Sequence, residues 1–283
     1  MKPNMNKLRT RLAVRHIRSI KQGIRALVDI DQILDAWEQQ HNPAIQEPTK
    51  ITGAQGREWA RFHINIQNTE ILNNALARIY ADGWVLGIDT GAYWVARKLD
   101  IKKQVTVTQA DLKRAMRTNW SKWTPGNRAA AELVRQPDGL KRLLASRGVK
   151  IQGMSRTTLN QIGTALADGL NRGATRREIA DDLSYILGSD ARALTIAGTE
   201  MGSAVVAANM ELYQNSGVEM LEWLLAEYEN NCEDCLDNYD QSPIPIGEEW
   251  RNGPPLVHPN CGCDVAPYVV DTSLWADVYG NEE

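Results

Sequence analysis

All four cysteines of the chain fall between residues 232 and 263, together with one of its four histidines. The stretch begins with Cys232-x2-Cys235 and ends with His258-x2-Cys261-x-Cys263. A loop rich in proline and glycine separates the two groups and can fold back to bring them together. Thiolate sulfur and imidazole nitrogen are the ligands of structural zinc, which is commonly held by two short-spaced pairs. The spacing therefore predicts one structural Zn ion that ties this loop to its neighbouring strands.

Two other states of these side chains agree with the same spacing, namely a pair of disulfides and a set of reduced, packed thiols. The second group also offers three donors where a tetrahedral ion needs two. Which of His258, Cys261 and Cys263 would be left out therefore stays open. Because the N-terminus has no apolar signal core, the chain is expected to be made in the cytoplasm. Thiols are kept reduced there, which favours metal or thiol chemistry over disulfides.

Charge is distributed unevenly along the chain, although the net charge of the 283 residues is only -3. Residues 1–28 carry eight Lys or Arg and no acidic residue, whereas residues 222–283 carry fourteen Asp or Glu and one basic residue, Arg251. The two ends are expected to face different partners, or each other. No apolar run reaches about eighteen residues, so neither a membrane span nor a membrane partner is expected.

The N-terminal segment, from about Lys7 to Gln40, has the periodicity of one amphipathic helix. Its apolar positions fall on one face, and a row of arginines falls on the other. Those arginines are Arg11, Arg15, Arg18 and Arg25. The pattern is typical of a helix that contacts nucleic acid or an acidic protein surface, and equally of a solvated charged face.

Helix signals continue up to residue 217. Thr175-x2-Glu178 is a capping box for a helix that Gly188 ends, and Ser189 is expected to cap a long helix that ends before Gly217. A short helix is predicted over residues 108–120. Since glycine weakens helices, an extended turn is predicted over residues 148–153, between one helix that ends near residue 147 and another that begins at residue 155.

The pattern changes at Val218, where strand-like segments replace the helical periodicity. Residues 219–226 predict a strand, residues 264–270 predict a returning strand, and the cysteine-containing loop lies between them. Two short strands bury little surface alone, so they are expected to pack on the helix over residues 189–215. The predicted fold class is mainly α, with long helices in the N-terminal region followed by a small α+β C-terminal domain with a Cys/His-clamped loop.

Several motifs in the second half resemble the C-terminal domain of the phage Mu F-like minor head proteins, also called the head morphogenesis family. They are Thr199-Glu200 within a helix, Trp223 on the following strand and the two cysteine groups. The resemblance covers about residues 155–270. It accompanies a predicted division into a helical region over residues 1–150, a Mu F-like domain over residues 151–270 and an acidic tail over residues 271–283.

The resemblance implies a structural minor head protein of a tailed phage, located in the head interior near the portal and assembled in the host cytoplasm. The implied partners are the portal protein and the major capsid or scaffold protein, with phage DNA as a further partner during packaging or ejection. Thr199, Glu200 and Trp223 would be structural motif residues. Glu200, as a buried carboxylate, is expected to accept backbone N–H bonds.

No catalytic residue set is evident, so the protein is not expected to be an enzyme. The sequence contains neither a Gly-x-Ser-x-Gly elbow nor a Walker phosphate loop. One alternative is a head-maturation protease, which would need a thiolate beside an imidazole, and Cys261 and His63 are the residues to test for that role. A second alternative is a DNA-binding adaptor that uses the basic N-terminal helix.

Overall fold

The computed structural model describes residues 5–41, 50–98, 138–226, 231–259 and 261–268. These residues form helices followed by a small sheet, which confirms the predicted fold class. The predicted helix over residues 108–120 and the acidic tail over residues 271–283 lie outside the described residues. The helices are α1 (Met5–Arg25), α2 (Ile30–His41), α3 (Gly53–His63), α4 (Glu70–Lys98), α5 (Asp138–Asn171), α6 (Arg176–Leu187), α7 (Asp190–Asn215) and α8 (Glu233–Gln241). The strands are β1 (Met220–Leu224), β2 (Ile244–Pro245) and β3 (Asp264–Tyr268).

Contacts divide the chain into two compact units. The sheet unit comprises Met1–Arg9, Tyr80–Lys141 and Met201–Glu283, and the helical unit comprises Thr10–Ile79 and Arg142–Glu200. The predicted boundary between residues 150 and 151 falls within α5, and the three-part domain division stays a prediction. No helix within the described ranges has the length and apolar character that a membrane span requires.

The prediction of one N-terminal helix over residues 7–40 is wrong, because the structure divides this segment into α1 and α2. The break is produced by Asp29, whose Oδ1 accepts the backbone N–H groups of Asp31 at 3.0 Å and Gln32 at 3.2 Å. An aspartate in this position caps a new helix by satisfying its first N–H groups. The amphipathic period continues across both helices. For that reason the sequence pattern alone predicts one helix and does not reveal the cap at Asp29.

The predicted extended turn over residues 148–153 is also wrong, because α5 runs through it without interruption. Glycine is less favourable than alanine in a helix by about 1 kcal/mol. Gly148 and Gly153 nevertheless remain helical, and buried residues such as Ile151 and Ile162 anchor α5 in the core of the helical unit. Tertiary packing thus outweighs the local preference of the two glycines.

The capping box of Thr175 and Glu178 and the ends at Gly188 and Gly217 are confirmed.

Helices α3 and α5 touch backbone to backbone at a pair of glycines. A Cβ atom placed on Gly56 would lie 2.1 Å from the carbonyl oxygen of Gly163, and one placed on Gly163 would lie 2.2 Å from the carbonyl oxygen of Gly56. Neither position therefore accepts a side chain without separation of the helices. Helix α3 is fixed at its start by a capping box between Thr52 and Gln55 that the sequence analysis missed.

Gly56→Ala is expected to lower the free energy of unfolding by about 1–3 kcal/mol, because the added methyl group overpacks this crossing. Gly153→Ala is the matched control, since a Cβ atom at that helical position meets nothing within 4 Å. The control is expected to leave stability unchanged or raise it by up to about 1 kcal/mol. Urea denaturation of both variants checks the pair, and equal stabilities would contradict the close crossing.

The sheet unit is built on an antiparallel sheet with the strand order β2-β1-β3. Strands β1 and β3 confirm the two predicted strands, and Trp223 pairs with Val265 between them. Their inner residues form one apolar core with Tyr213 of α7 and Trp94 of α4. Helices α4 and α7 also pack closely, since a Cβ atom on Gly87 would lie 2.4 Å from the carbonyl oxygen of Val205. Packing of the strands on the long helix is therefore confirmed.

Helix α8 and the two-residue strand β2 were missed by the sequence analysis, which predicts a loop throughout this region. Cys232 occupies the N-cap position of α8, and Glu233 and Asp234 lie in its first turn, where negative charge stabilises a helix. The helix has only nine residues and precedes a Pro/Gly-rich loop. Its periodic signal is therefore too short to separate from the surrounding loop.

Candidate metal centre

The first pair of thiols is positioned by the start of α8. The backbone N–H of Leu236 donates to the carbonyl oxygen of Cys232 at 3.0 Å, which closes the first helical turn. Cys232 at the N-cap and Cys235 in the first turn consequently lie on the same side of the helix start. Cys235 is buried, and Cys232 is partly exposed.

The second group lies in the loop that leads into β3. The backbone N–H of Cys261 donates to the carbonyl oxygen of His258 at 3.1 Å, so a tight turn brings these two residues together. Cys263 directly precedes β3, and both Cys261 and Cys263 are buried. The loop thus delivers one imidazole and two thiols to the start of α8.

The donor atoms form two triads that share Cys235. The atoms of Cys232, Cys235 and His258 lie within 4.8 Å of one another, and so do those of Cys235, Cys261 and Cys263. The Cys235 Sγ atom lies 3.9 Å from His258 Nε2 and 3.6 Å from Cys261 Sγ. All five residues that the sequence singled out are therefore brought together.

These separations suit a tetrahedral ion. Sulfur ligands about 2.3 Å from zinc lie about 3.8 Å apart, and a sulfur and a nitrogen ligand lie about 3.6 Å apart. A disulfide would need a sulfur–sulfur distance of about 2.05 Å, and all four cysteines are free thiols in the structure. The residues present therefore could hold a metal ion, and the donor set is that of zinc rather than of calcium or magnesium.

The thiols of Cys261 and Cys263 differ in how readily they ionise. A hydrogen bond from Cys263 lowers the pKa of Cys261 to about 5, although burial opposes this shift. The same hydrogen bond, together with burial, raises the pKa of Cys263 far above its ordinary value. Cys261 is therefore the more acidic of the two thiols, and thiolates are the form that binds zinc.

The other three donors are shifted by burial and by one another. Burial, followed by a hydrogen bond with Cys232, raises the pKa of Cys235 to about 12. Burial also acts to raise the pKa of Cys232, but the Cys235 backbone N–H and His258 outweigh it and lower that pKa. The hydrogen bond to the Pro259 carbonyl raises the pKa of His258. Strong mutual dependence of this kind is expected where several metal ligands converge.

A buried amide, Asn238 on α8, holds the loop of the metal centre in place. Its Oδ1 accepts the backbone N–H of Asn252 at 2.9 Å, and its Nδ2 donates to the carbonyl oxygen of Gly253 at 3.1 Å. Further along the loop, Leu256 packs on α7 at Gly202, where a Cβ atom would lie 2.9 Å from Leu256 Cδ1. Sequence reasoning missed Asn238, which has no signal beyond its spacing from Cys235 on α8.

A buried ion pair lies directly beside the cysteines. Arg9 Nη2 lies 2.9 Å from Asp264 Oδ2, and both side chains are about 95% buried, at 4% and 5% exposure. Arg9 Nη1 donates to the carbonyl oxygen of Cys263 at 3.1 Å, and Asn209 Nδ2 donates to Asp264 Oδ1 at 3.3 Å. Arginine suits such a site because its planar group donates several hydrogen bonds at once. The sequence gives no signal for this contact.

The residues of the family motif lie on α7 and β1. Thr199 Oγ1 donates to the carbonyl oxygen of Thr195 at 2.8 Å, within its own helix. Glu200 is buried, and its Oε1 lies 3.6 Å from Lys150 Nζ. Trp223 is buried and meets Trp250 edge to face at 5.0 Å. Acceptance of backbone N–H bonds by Glu200 stays a prediction.

The predicted basic face is present on α1. Its four arginines, Arg11, Arg15, Arg18 and Arg25, are all exposed. The opposite face is buried and includes Leu12, Ile20 and Ile24. The Arg25 guanidinium lies close to Gly188, at the C-terminal end of α6, where a cation is favoured by the helix dipole. The role of the four exposed arginines in binding a partner or nucleic acid stays a prediction.

His63, one of the two residues named for a protease, is engaged by its neighbours. Its ring stacks on Trp59 at 4.9 Å, and its Nδ1 lies 2.9 Å from the Trp59 carbonyl oxygen. Since a carbonyl only accepts, Nδ1 carries the proton. The other nitrogen, Nε2, accepts from Gln40 Nε2 at 3.1 Å. Both ring nitrogens are therefore occupied within the helical unit, which disfavours a role as a general base.

Comparison with known proteins agrees with the motif. A family model described as "Phage Mu protein F like protein" matches residues 160–266, less than half of the chain. The resemblance is thus confirmed over the segment that contains α6, α7, β1, α8 and the cysteine–histidine cluster. The family is one of phage head morphogenesis. No curated protein and no solved structure matches the chain significantly.

Proposed function

We propose that this protein is a structural minor head protein of a tailed phage that associates with the portal protein and the inner shell during head assembly. The match of residues 160–266 to the Mu F-like family carries this proposal. The architecture agrees with a structural role, because a small sheet and the loop that carries the cysteine–histidine cluster share a core with residues of long helices. The portal and the major capsid or scaffold protein are the proposed partners.

Within this function, the cysteine–histidine cluster holds one structural zinc ion. Zinc bound by four protein ligands has no open position for an activated water, so its contribution is to stability. The loop between α8 and β3 contains one two-residue strand and has little core of its own. Zinc would cross-link this loop to the start of α8 and the entry to β3, and binding would add directly to the folding free energy.

Coexpression with the head proteins of the same phage tests the assembly role. The wild-type chain is expected to sediment with procapsids in a few copies per particle, and to remain with particles after gradient purification. The same chain expressed without head proteins is the control and should stay at the top of the gradient. Absence of the coexpressed wild-type chain from both procapsids and virions would refute the proposal.

The exposed basic face of α1 supports DNA binding as a second candidate function. Arg11 and Arg18 lie on this face, and an exposed row of arginines attracts the phosphate backbone of nucleic acid. Deletion of residues 1–28 is not a clean test, because Ile20, Ile24 and Leu27 contribute to the core. Point substitutions on the exposed face are therefore the better experiment.

The double substitution of Arg11 and Arg18 by alanine is expected to reduce the salt dependence of DNA binding. The slope of log K against log salt should fall by about 2, since each lost phosphate contact contributes about 0.9. The control is the double substitution of Arg156 and Arg177, which are exposed on α5 and α6. Fluorescence anisotropy at several salt concentrations measures both slopes. Identical slopes would exclude the basic face as the binding site.

A head-maturation protease remains the enzymatic alternative, but the described residues give it little support. Cys261 is buried among other thiols, and the ring nitrogens of His63 are engaged by Trp59 and Gln40. The test is incubation with coexpressed capsid protein. Specific cleavage that is abolished by substitution of Cys261 or of His63 would establish the protease role.

A further inference from the structure

The metal centre offers five donor residues, whereas tetrahedral zinc takes four. We propose that Cys232, Cys235, His258 and Cys261 are the ligands, and that Cys263 stays outside the ion. The assignment rests on the proposed zinc clamp. The proposed ligand set therefore contains three sulfurs and one nitrogen.

The hydrogen bond of His258 identifies the ligand nitrogen. Nδ1 lies 2.9 Å from the carbonyl oxygen of Pro259, and a carbonyl can only accept. The proton is therefore on Nδ1, and the lone pair on Nε2 is directed at the cluster, where it lies 3.9 Å from Cys235 Sγ. Metal-bound histidines commonly donate their other N–H to a backbone carbonyl in this way. His258 is thus oriented as a ligand.

Two thiols complete this side of the site. The donor atoms of Cys232, Cys235 and His258 already lie within 4.8 Å of one another. Both thiols come from the start of α8, Cys232 from the N-cap and Cys235 from the first turn. An ion in contact with these three residues needs one further ligand, and the choice lies between Cys261 and Cys263.

Backbone attachments decide between the two remaining thiols. The carbonyl oxygen of Cys263 accepts from the buried Arg9, and the next residue, Asp264, pairs with both Arg9 and Leu224 of β1. Cys263 is therefore fixed to the edge of the sheet. Cys261 lies outside β3, in the turn with His258, and its sulfur is 3.6 Å from Cys235 Sγ.

Formation of the site requires a small movement, and the backbone of Cys261, which lies in a turn, is less constrained than that of Cys263. No four of the described donor atoms lie mutually within 4.8 Å, so an ion must draw one more sulfur towards the first triad. A shift of the Cys261 backbone changes a turn, whereas a shift of the Cys263 backbone would disturb the contacts of Arg9 and Asp264.

X-ray absorption spectroscopy of the zinc-loaded full chain tests the donor count without any substitution. Three sulfurs at about 2.3 Å and one nitrogen at about 2.0–2.1 Å are expected. Four sulfurs would overturn the assignment while leaving the zinc clamp intact. A chain purified under reducing conditions that binds no zinc would instead refute the clamp itself, so the two failures are distinguishable.

Two matched substitutions then identify the third sulfur. Cys263→Ala is expected to keep one zinc per chain and three sulfurs, with zinc affinity reduced by no more than about 10- to 100-fold. Cys261→Ala is expected to lose one sulfur and more than about 100-fold in affinity, measured by competition with a chromophoric chelator. If Cys261→Ala fails to fold, Cys263→Ala alone decides, because loss of a sulfur from its spectrum would overturn the proposal.

Discussion

Cys235→Ser is expected to abolish zinc binding and to lower the thermal midpoint of unfolding by about 8–16 °C. Cys235 is shared by the two triads of described donor atoms, so its loss disrupts both of them. Zinc at about a thousand times its Kd stabilises the folded state by about 4 kcal/mol. One kcal/mol corresponds to about 2–4 °C in a protein of this size, which gives the expected range.

Chelation of the wild-type protein provides the corresponding measurement without a substitution. Calorimetry under reducing conditions should show the wild-type midpoint falling on addition of a strong chelator, while Cys235→Ser stays unchanged. Cys263→Ala is the control, because it should retain the chelator-sensitive difference even where the smaller side chain lowers its own midpoint. A wild-type midpoint that does not respond to chelator would contradict a stabilising metal, and two oxidised disulfides would then be the alternative to test by thiol titration.

The sequence predicts the parts of the metal centre because their signals are local. Ligand types and short spacings single out Cys232, Cys235, His258, Cys261 and Cys263 without deciding which four would be ligands, and the strands on either side follow from apolar runs of ordinary length. The helix ends at Gly188 and Gly217 follow from cap chemistry that acts within a few residues. Each of these features depends on neighbours in the chain, so a single sequence contains the information.

Other features depend on packing partners that are distant in sequence. The continuity of α5 through Gly148 and Gly153 is decided by the core of the helical unit, and the close crossing of α3 and α5 depends on two glycines that no local pattern joins. The break at Asp29 could not be predicted for a different reason. The amphipathic period continues across it, while the Asp29 side chain caps a new helix by accepting the Asp31 N–H. Local preference and tertiary contact compete at these positions, and tertiary contact prevails in α5.

The buried ion pair is the clearest case of information that the sequence conceals. Arg9 belongs to a basic N-terminal segment whose exposed arginines suggest a solvent-facing role, yet its guanidinium is buried against a carbonyl 254 positions away. The contact fastens the start of α1 to the residues that follow the cysteine–histidine cluster. Charge composition averaged over a segment therefore fails to separate a structural arginine from those on the exposed face.

Arg9→Ala is expected to lower the free energy of unfolding by about 3–5 kcal/mol. Removal of the guanidinium leaves the Asp264 carboxylate buried without its counter-charge, and an uncompensated buried charge is strongly destabilising. Arg11→Ala is a matched control, because Arg11 lies two residues further along α1 and is exposed. The control is expected to change stability by about 0.5 kcal/mol or less. Urea denaturation of the two variants measures the difference.

A double-mutant cycle separates the lost charge pairing from lost packing at this site. Arg9→Met keeps much of the apolar volume, and Asp264→Asn removes the charge while retaining an oxygen that can accept from Asn209. Each single substitution strands one member of the pair, whereas the double variant contains no buried charge at this position and should recover part of the loss. If the two single effects simply add, or if Arg9→Ala is as stable as Arg11→Ala, then the pair does not hold α1 to the entry of β3.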